Sequence, residues 1–149
     1  MAEMIERAIL LSFDELRILL YSMGVRTLEG IYMPEKQFSE MEVIQALRHL
    51  SGNGFILAEN KQFSIREDLL CMLEIMGHPA GTLVCSSKDD STREYFCYMV
   101  PDRAVVSQRY WKKKDTLKLT MLTEEEFKVW RAQTDDHNRD RSSYDGETV

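Results

Sequence analysis

Residues 39–65, SEMEVIQALRHLSGNGFILAENKQFSI, decide how the rest of the chain is read. The Ser39 hydroxyl can cap a helix, and Glu42 is placed to reach back to the Ser39 amide. Val43, Ala46, Leu47 and Leu50 then recur at helical spacing, which gives the helix one apolar stripe. Gly52 and Gly54 permit the left-handed backbone that ends a helix. Beyond them, Phe55-Ile56-Leu57 and Phe63-Ser64-Ile65 flank the polar turn Glu59-Asn60-Lys61-Gln62, the pattern of a short hairpin. Arg66 to Met76 follows directly as a run of good helix formers.

Working toward the N-terminus, Ser12 and Glu15 have capping-box spacing, and Leu16, Leu19, Leu20 and Met23 form a stripe that Gly24 terminates. Phe13 to Met23 is therefore expected to be a helix. Ile9-Leu10-Leu11 is too short a run to separate a strand from the tail of an earlier helix. Val25 to Lys36, with Gly30 and Pro34 and no sustained period, reads as a connection with a short extended piece at Ile31-Tyr32-Met33.

Toward the C-terminus, Ser64 and Glu67 suggest another capping box, before a helix striped by Leu69, Leu70, Leu73 and Met76 and ended by Gly77 and Pro79. From Gly81 the period becomes alternating. Thr82–Ser86, Tyr95–Val100, Ala104–Tyr110 and Thr116–Leu122 read as strands with short polar links, hence an antiparallel meander. In the last of these, Leu117, Leu119 and Met121 face one way and Thr116, Lys118 and Thr120 the other. Tyr95 to Val100 is apolar or aromatic throughout, which places it centrally. Thr123 and Glu126 open a final helix whose Phe127 and Trp130 can pack back on the sheet.

The 149 residues suffice for one ordinary core, and no apolar run approaches the roughly 20 residues of a membrane helix. The N-terminal apolar segment is too short for a secretory signal, so a cytoplasmic protein without membrane association is expected. Of the net charge of −6, half lies in residues 134–149, where five acids oppose Arg139 and Arg141. That stretch has almost nothing apolar to bury and reads as a disordered acidic tail. An acidic body repels a phosphate backbone, so nucleic acid is a disfavoured partner. Cys71, Cys85 and Cys97 have neither disulfide-framework nor zinc spacing and read as buried thiols.

No stretch carries recognisable catalytic chemistry. His49, His78 and His137 stand in no metal-ligand cluster, and nucleophile-elbow, phosphate-loop and paired-carboxylate patterns are all missing from the sequence. We therefore expect no enzyme, cofactor or metal. Two groups remain as candidate binding residues. Tyr95 on one face of its strand and Phe96 and Tyr98 on the other, with Tyr110 or Trp111 at the rim, are the rows of which one is expected to be short of cover and so to offer a sheet face to another protein or to a second copy of this chain. Lys112, Lys113 and Lys114, with Arg48 and Lys61, are the residues available to an acidic partner or nucleic acid, although lysines at strand ends are also ordinary solvated surface.

The order of a leucine-rich helix, a linker, the helix and hairpin with LSGNGFILAENKQFSI, the helix ending MLEIMGHPAG and a meander closing on TMLTEEEFKVW resembles two families. The helix, glycine and wing portion resembles winged-helix domains of bacterial regulators. A DNA reader of that kind would present Glu40, Glu42, Gln45, Arg48 and His49 to the groove, and the carboxylates would oppose phosphates. The longer pattern resembles one half of EspG-like chaperones of type VII secretion. That resemblance implies binding of secretion substrates without catalysis. The combined expectation is one α+β domain over residues 1–133. In it a winged-helix-like part (12–78) packs on a four-stranded antiparallel sheet with a short C-terminal helix (81–133), and the chain acts as a protein-binding adaptor.

Overall fold

The computed structural model describes residues 8–26, 28–31, 37–59, 62–87, 94–110 and 112–136. The elements run β1 (Ile9–Ser12), α1 (Phe13–Ser22), α2 (Glu40–Gly52), β2 (Ile56–Glu59), β3 (Gln62–Ile65), α3 (Glu67–Gly77), β4 (Gly81–Ser87), β5 (Glu94–Val100), β6 (Arg103–Arg109), β7 (Thr116–Thr123), α4 (Glu124–Arg131) and β8 (Thr134–Asp136). The class is α+β.

Three of the expected capping boxes form. Ser12, Ser39 and Thr123 each accept the amide of the residue three positions on, at 3.1 Å, and Glu15, Glu42 and Glu126 each return to the cap amide at 2.9 Å. The Ser64/Glu67 box does not form. β3 carries the chain in extended form through Ile65, and Arg66 N donates to Phe55 O, so α3 begins after Arg66 and beyond the reach of Ser64. No side chain caps this helix; Asp68 in its first turn accepts Leu69 N at 2.8 Å and a paired contact from Arg66 at 2.6 and 3.0 Å. The Arg66 hydrogen bond and the Leu69 amide together hold the Asp68 carboxyl below its ordinary range, against a smaller opposing push from burial.

The meander β4 to β7 is the core of the sheet, but the sheet is wider than four strands, with the order β1-β7-β6-β5-β4-β8 and every pairing antiparallel. The ambiguous Ile9–Leu11 run resolves as a strand because Ile9, Leu11 and their partners Leu119 and Leu117 share one buried face. At the other edge, Thr134–Asp136 pairs with Ser87–Cys85, so the domain does not stop at Gln133. The expected disorder of residues 137–149 lies outside the described residues. A chain ending at Gln133 is expected to be less stable than one ending at Asp136 by about 1–2 kcal/mol, the worth of a short ladder. Paired thermal melts check this, with a Tm difference of roughly 2–8 °C.

Each face of the sheet carries a core, although Leu10 on the edge strand β1 stays exposed. α1, α2 and α3 lie over one, where Leu16, Leu19, Leu20, Leu50, Leu69, Leu73 and Met76 join Tyr98, Val105, Leu117 and Leu119 in the larger core. α4 lies over the other, where Phe127 and Trp130 pack on Leu83, Cys85, Cys97, Val106 and Leu122, together with Tyr95 and Met99. This explains the unbroken apolar run of β5, which alternates between two cores. Cys85 and Cys97 are buried, whereas Cys71 is only partly so, a correction to the expectation that all three thiols are core.

Candidate functional site

The expected docking row does not stand as an open surface. Tyr98 is fully buried, and its hydroxyl donates to Glu29 O at 2.7 Å. Phe96 tilts against Tyr98 beneath the turn Leu28–Ile31, where Gly30 has φ +82°. Tyr95 meets the edge of Trp130 at a centroid distance of 5.2 Å, and Trp130 stacks on Phe127 at 5.7 Å. Tyr110 is partly buried, and Trp111 lies outside the described residues. The face looked short of cover because the sequence shows few helices. A single turn of chain completes the cover over Phe96 and Tyr98 on one face, and two aromatic residues of α4 complete it over Tyr95 on the other.

Burial pushes the Tyr98 hydroxyl above its ordinary ionisation range. A group whose folded pKa is raised contributes stability that is complete below its unfolded value, near pH 10, and is lost as pH climbs above it. Tyr98→Phe is expected to cost about 0.5–1.5 kcal/mol at neutral pH. The gap to wild type should then narrow above pH 10 by up to about 1.4 kcal/mol per pH unit. Denaturant melts of both proteins between pH 8 and 11.5 check this.

The cations also disperse. Arg103 reaches Cys71 Sγ at 3.1 Å and Asp102 at 3.7 Å, and Arg109 lies over the Phe13 ring at 5.1 Å. Lys112, Lys113 and Lys114 are exposed in the β6–β7 turn, Arg48 is exposed on α2, and Lys61 lies outside the described residues. Among the described residues no group of three or more His, Cys, Asp or Glu side chains is placed to hold a metal. No described helix is long and apolar enough to cross a membrane.

Two features carry chemistry that a partner could read. The first is the outer face of α2 with the hairpin that follows. The helix buries Ala46 and Leu50 and so turns Met41, Ile44, Gln45 and Arg48 outward. Five large apolar side chains are exposed among the described residues, and three of them belong to this unit: Met41 at 60%, Ile44 at 38% and Leu57 at 60%. Glu40 precedes Met41, and Glu59 follows Leu57 on the same side of β2, both exposed. The sequence signal for this surface is that Met41 and Ile44 are apolar residues lying off the stripe that periodicity marks as buried.

The second is a cavity of about 560 Å³ lined by Leu10, Ser12, Glu15, His49, Asn53, Phe55, Lys113 and Thr116. It is assembled from parts distant in sequence. Glu15, committed through Oε1 to the Ser12 cap, uses Oε2 to take His49 Nδ1 of α2. With that proton donated to Glu15, Nε2 is left as an acceptor and lies 3.4 Å from the Asn53 amide nitrogen at the C-cap of α2. Lys113 is held opposite by a tied turn. Tyr110 N donates to Thr116 O at 2.8 Å, Lys113 N to Tyr110 O at 3.3 Å, and Phe13 N to Asp115 O at 2.9 Å, with Asp115 at φ 52°. No sequence signal joined His49 to Glu15, since the capping role accounted for the carboxylate completely.

No protein-family model matches the chain, and no curated protein matches it in sequence.

Proposed function

We propose that this protein is a non-enzymatic adaptor that binds another polypeptide through the outer face of α2 and the β2–β3 hairpin. The observation that carries the reading is the exposure of Met41, Ile44 and Leu57 on one helix–hairpin unit. Methionine and aliphatic side chains there supply the desolvated centre of a protein interface. A winged-helix regulator uses the equivalent helix to enter the major groove and needs cations on it. Arg48 is the one cation on the described outer face of α2, while exposed Glu40 adjoins Met41 and exposed Glu59 follows Leu57 on β2. The partner segment that fits is an apolar strip flanked by basic residues. The resemblance to EspG-like chaperones, which bind secretion substrates, agrees with this reading.

Peptide display selection against the full chain tests it. Enrichment of apolar sequences with flanking Lys or Arg is expected, with binding reduced at least about tenfold, or 1.4 kcal/mol, in Met41→Glu/Ile44→Glu. All the side chains removed are exposed, so the variant should fold. Failure to enrich any peptide, together with tight, steeply salt-dependent binding of duplex DNA, would replace the adaptor reading with the regulator one.

A further inference from the structure

The cavity beside His49 shares no apolar anchor with the α2–hairpin face, and its chemistry is different. We propose that it binds a carboxylate carried on an apolar body. About 560 Å³ is the scale of a small-ligand pocket, and Leu10 and Phe55 supply apolar wall while Asn53, His49 and Lys113 supply the polar groups. Leu10 is 40% exposed although it sits in a sheet strand, so among the described residues this wall is only partly covered.

His49 orients the Asn53 amide that lines the cavity. The Glu15 side chain is only 7% exposed and is anchored by the Ser12 amide, so it cannot swing away, and it fixes which ring nitrogen faces Asn53. Lys113 makes no ion pair among the described residues, and its turn is tied at both ends by backbone hydrogen bonds. A ligand carboxylate between Lys113 and the Asn53 amide would receive one charged and one neutral donor.

Charge decides the ligand class. Lys113 is the lysine of the cavity and Glu15, already engaged with His49, its carboxylate, so the one lysine matches a monoanion better than a phosphate dianion. The Leu10 and Phe55 walls favour an apolar body over a polar metabolite.

Titration of the full chain, followed by amide chemical shifts, with phenylacetate, phenylacetamide and inorganic phosphate tests the assignment. Phenylacetate is expected to bind at least about tenfold more tightly than its amide, with phosphate weaker than either. Lys113→Gln should remove most of that preference without changing phenylacetamide binding. Lys113 is exposed, so its replacement leaves the fold intact. A peptide ending in phenylalanine, with a free or an amidated C-terminus, identifies the source of the carboxylate. Tighter binding of the free-ended peptide than of phenylacetate assigns the site to a polypeptide C-terminus, and the reverse assigns it to a small acid. Equal binding of acid and amide, an unchanged preference in Lys113→Gln, or phosphate outcompeting phenylacetate would overturn the proposal.

Discussion

Gly30→Ala is expected to destabilise the protein by roughly 2–5 kcal/mol, combining a left-handed backbone penalty with overpacking. The residue has φ +82°, and a methyl group there would overlap the Phe96 ring. The turn cannot lift to relieve the overlap, because Tyr98 holds Glu29 O and Thr82 Oγ1 donates to the Glu29 carboxylate at 3.1 Å. Thermal melts should show a Tm loss of roughly 5–15 °C. Combining Gly30→Ala with Phe96→Ala separates the two contributions, since removing the ring relieves overlap and leaves the backbone penalty. The double variant should therefore be more stable than the sum of the single effects implies. A Gly30→Ala protein that melts with wild type would mean the turn does not sit on the ring.

Trp130→Ala is the second large effect, at about 2–4 kcal/mol, somewhat below a fully buried aromatic because the residue is half-buried. Its ring is the lid over the α4 face of the sheet, touching Tyr95 and Phe127. Without it, Leu83, Val106 and Leu122 lose cover, so dye binding to apolar surface and self-association should both rise. Phe127→Ala should act in the same direction, and the pair should be less than additive because the rings stack. A loss below about 0.5 kcal/mol for Trp130→Ala would mean that α4 does not close this face.

The elements were legible where a local rule fixes them. Ser12 with Glu15, Ser39 with Glu42, and Thr123 with Glu126 mark true helix starts because each reciprocal pair closes within one turn. Ser64 with Glu67 has the same spacing and fails, since the hairpin ladder from Ile56–Ile65 to Glu59–Gln62 claims Ser64 for a strand. Local spacing cannot anticipate that competition. The meander was legible from alternation and short links. The strand character of Ile9–Ser12 and Thr134–Asp136 was not, because three or four residues carry no period and their pairing partners lie far along the chain.

The candidate sites were less legible for the same reason. Tyr98 and Phe96 looked like an interface because aromatic residues suit both cores and interfaces, and only the distant Leu28–Ile31 turn decides between the two. Lys113 and His49 stand far apart in the sequence, and only the tertiary fold places them around one cavity with Glu15. Met41 and Ile44 point outward because Ala46 and Leu50 point inward, a relation that the helical period contains but that carries meaning only once the buried face is known.

The most direct test of the adaptor reading is amide chemical-shift mapping of the full chain with a peptide recovered by selection. The largest changes are predicted at Met41, Ile44, Gln45, Arg48 and Leu57, with Tyr95, Phe127 and Trp130 unmoved. Changes centred on α4 and β5, or a map that Met41→Glu/Ile44→Glu leaves intact, would contradict it.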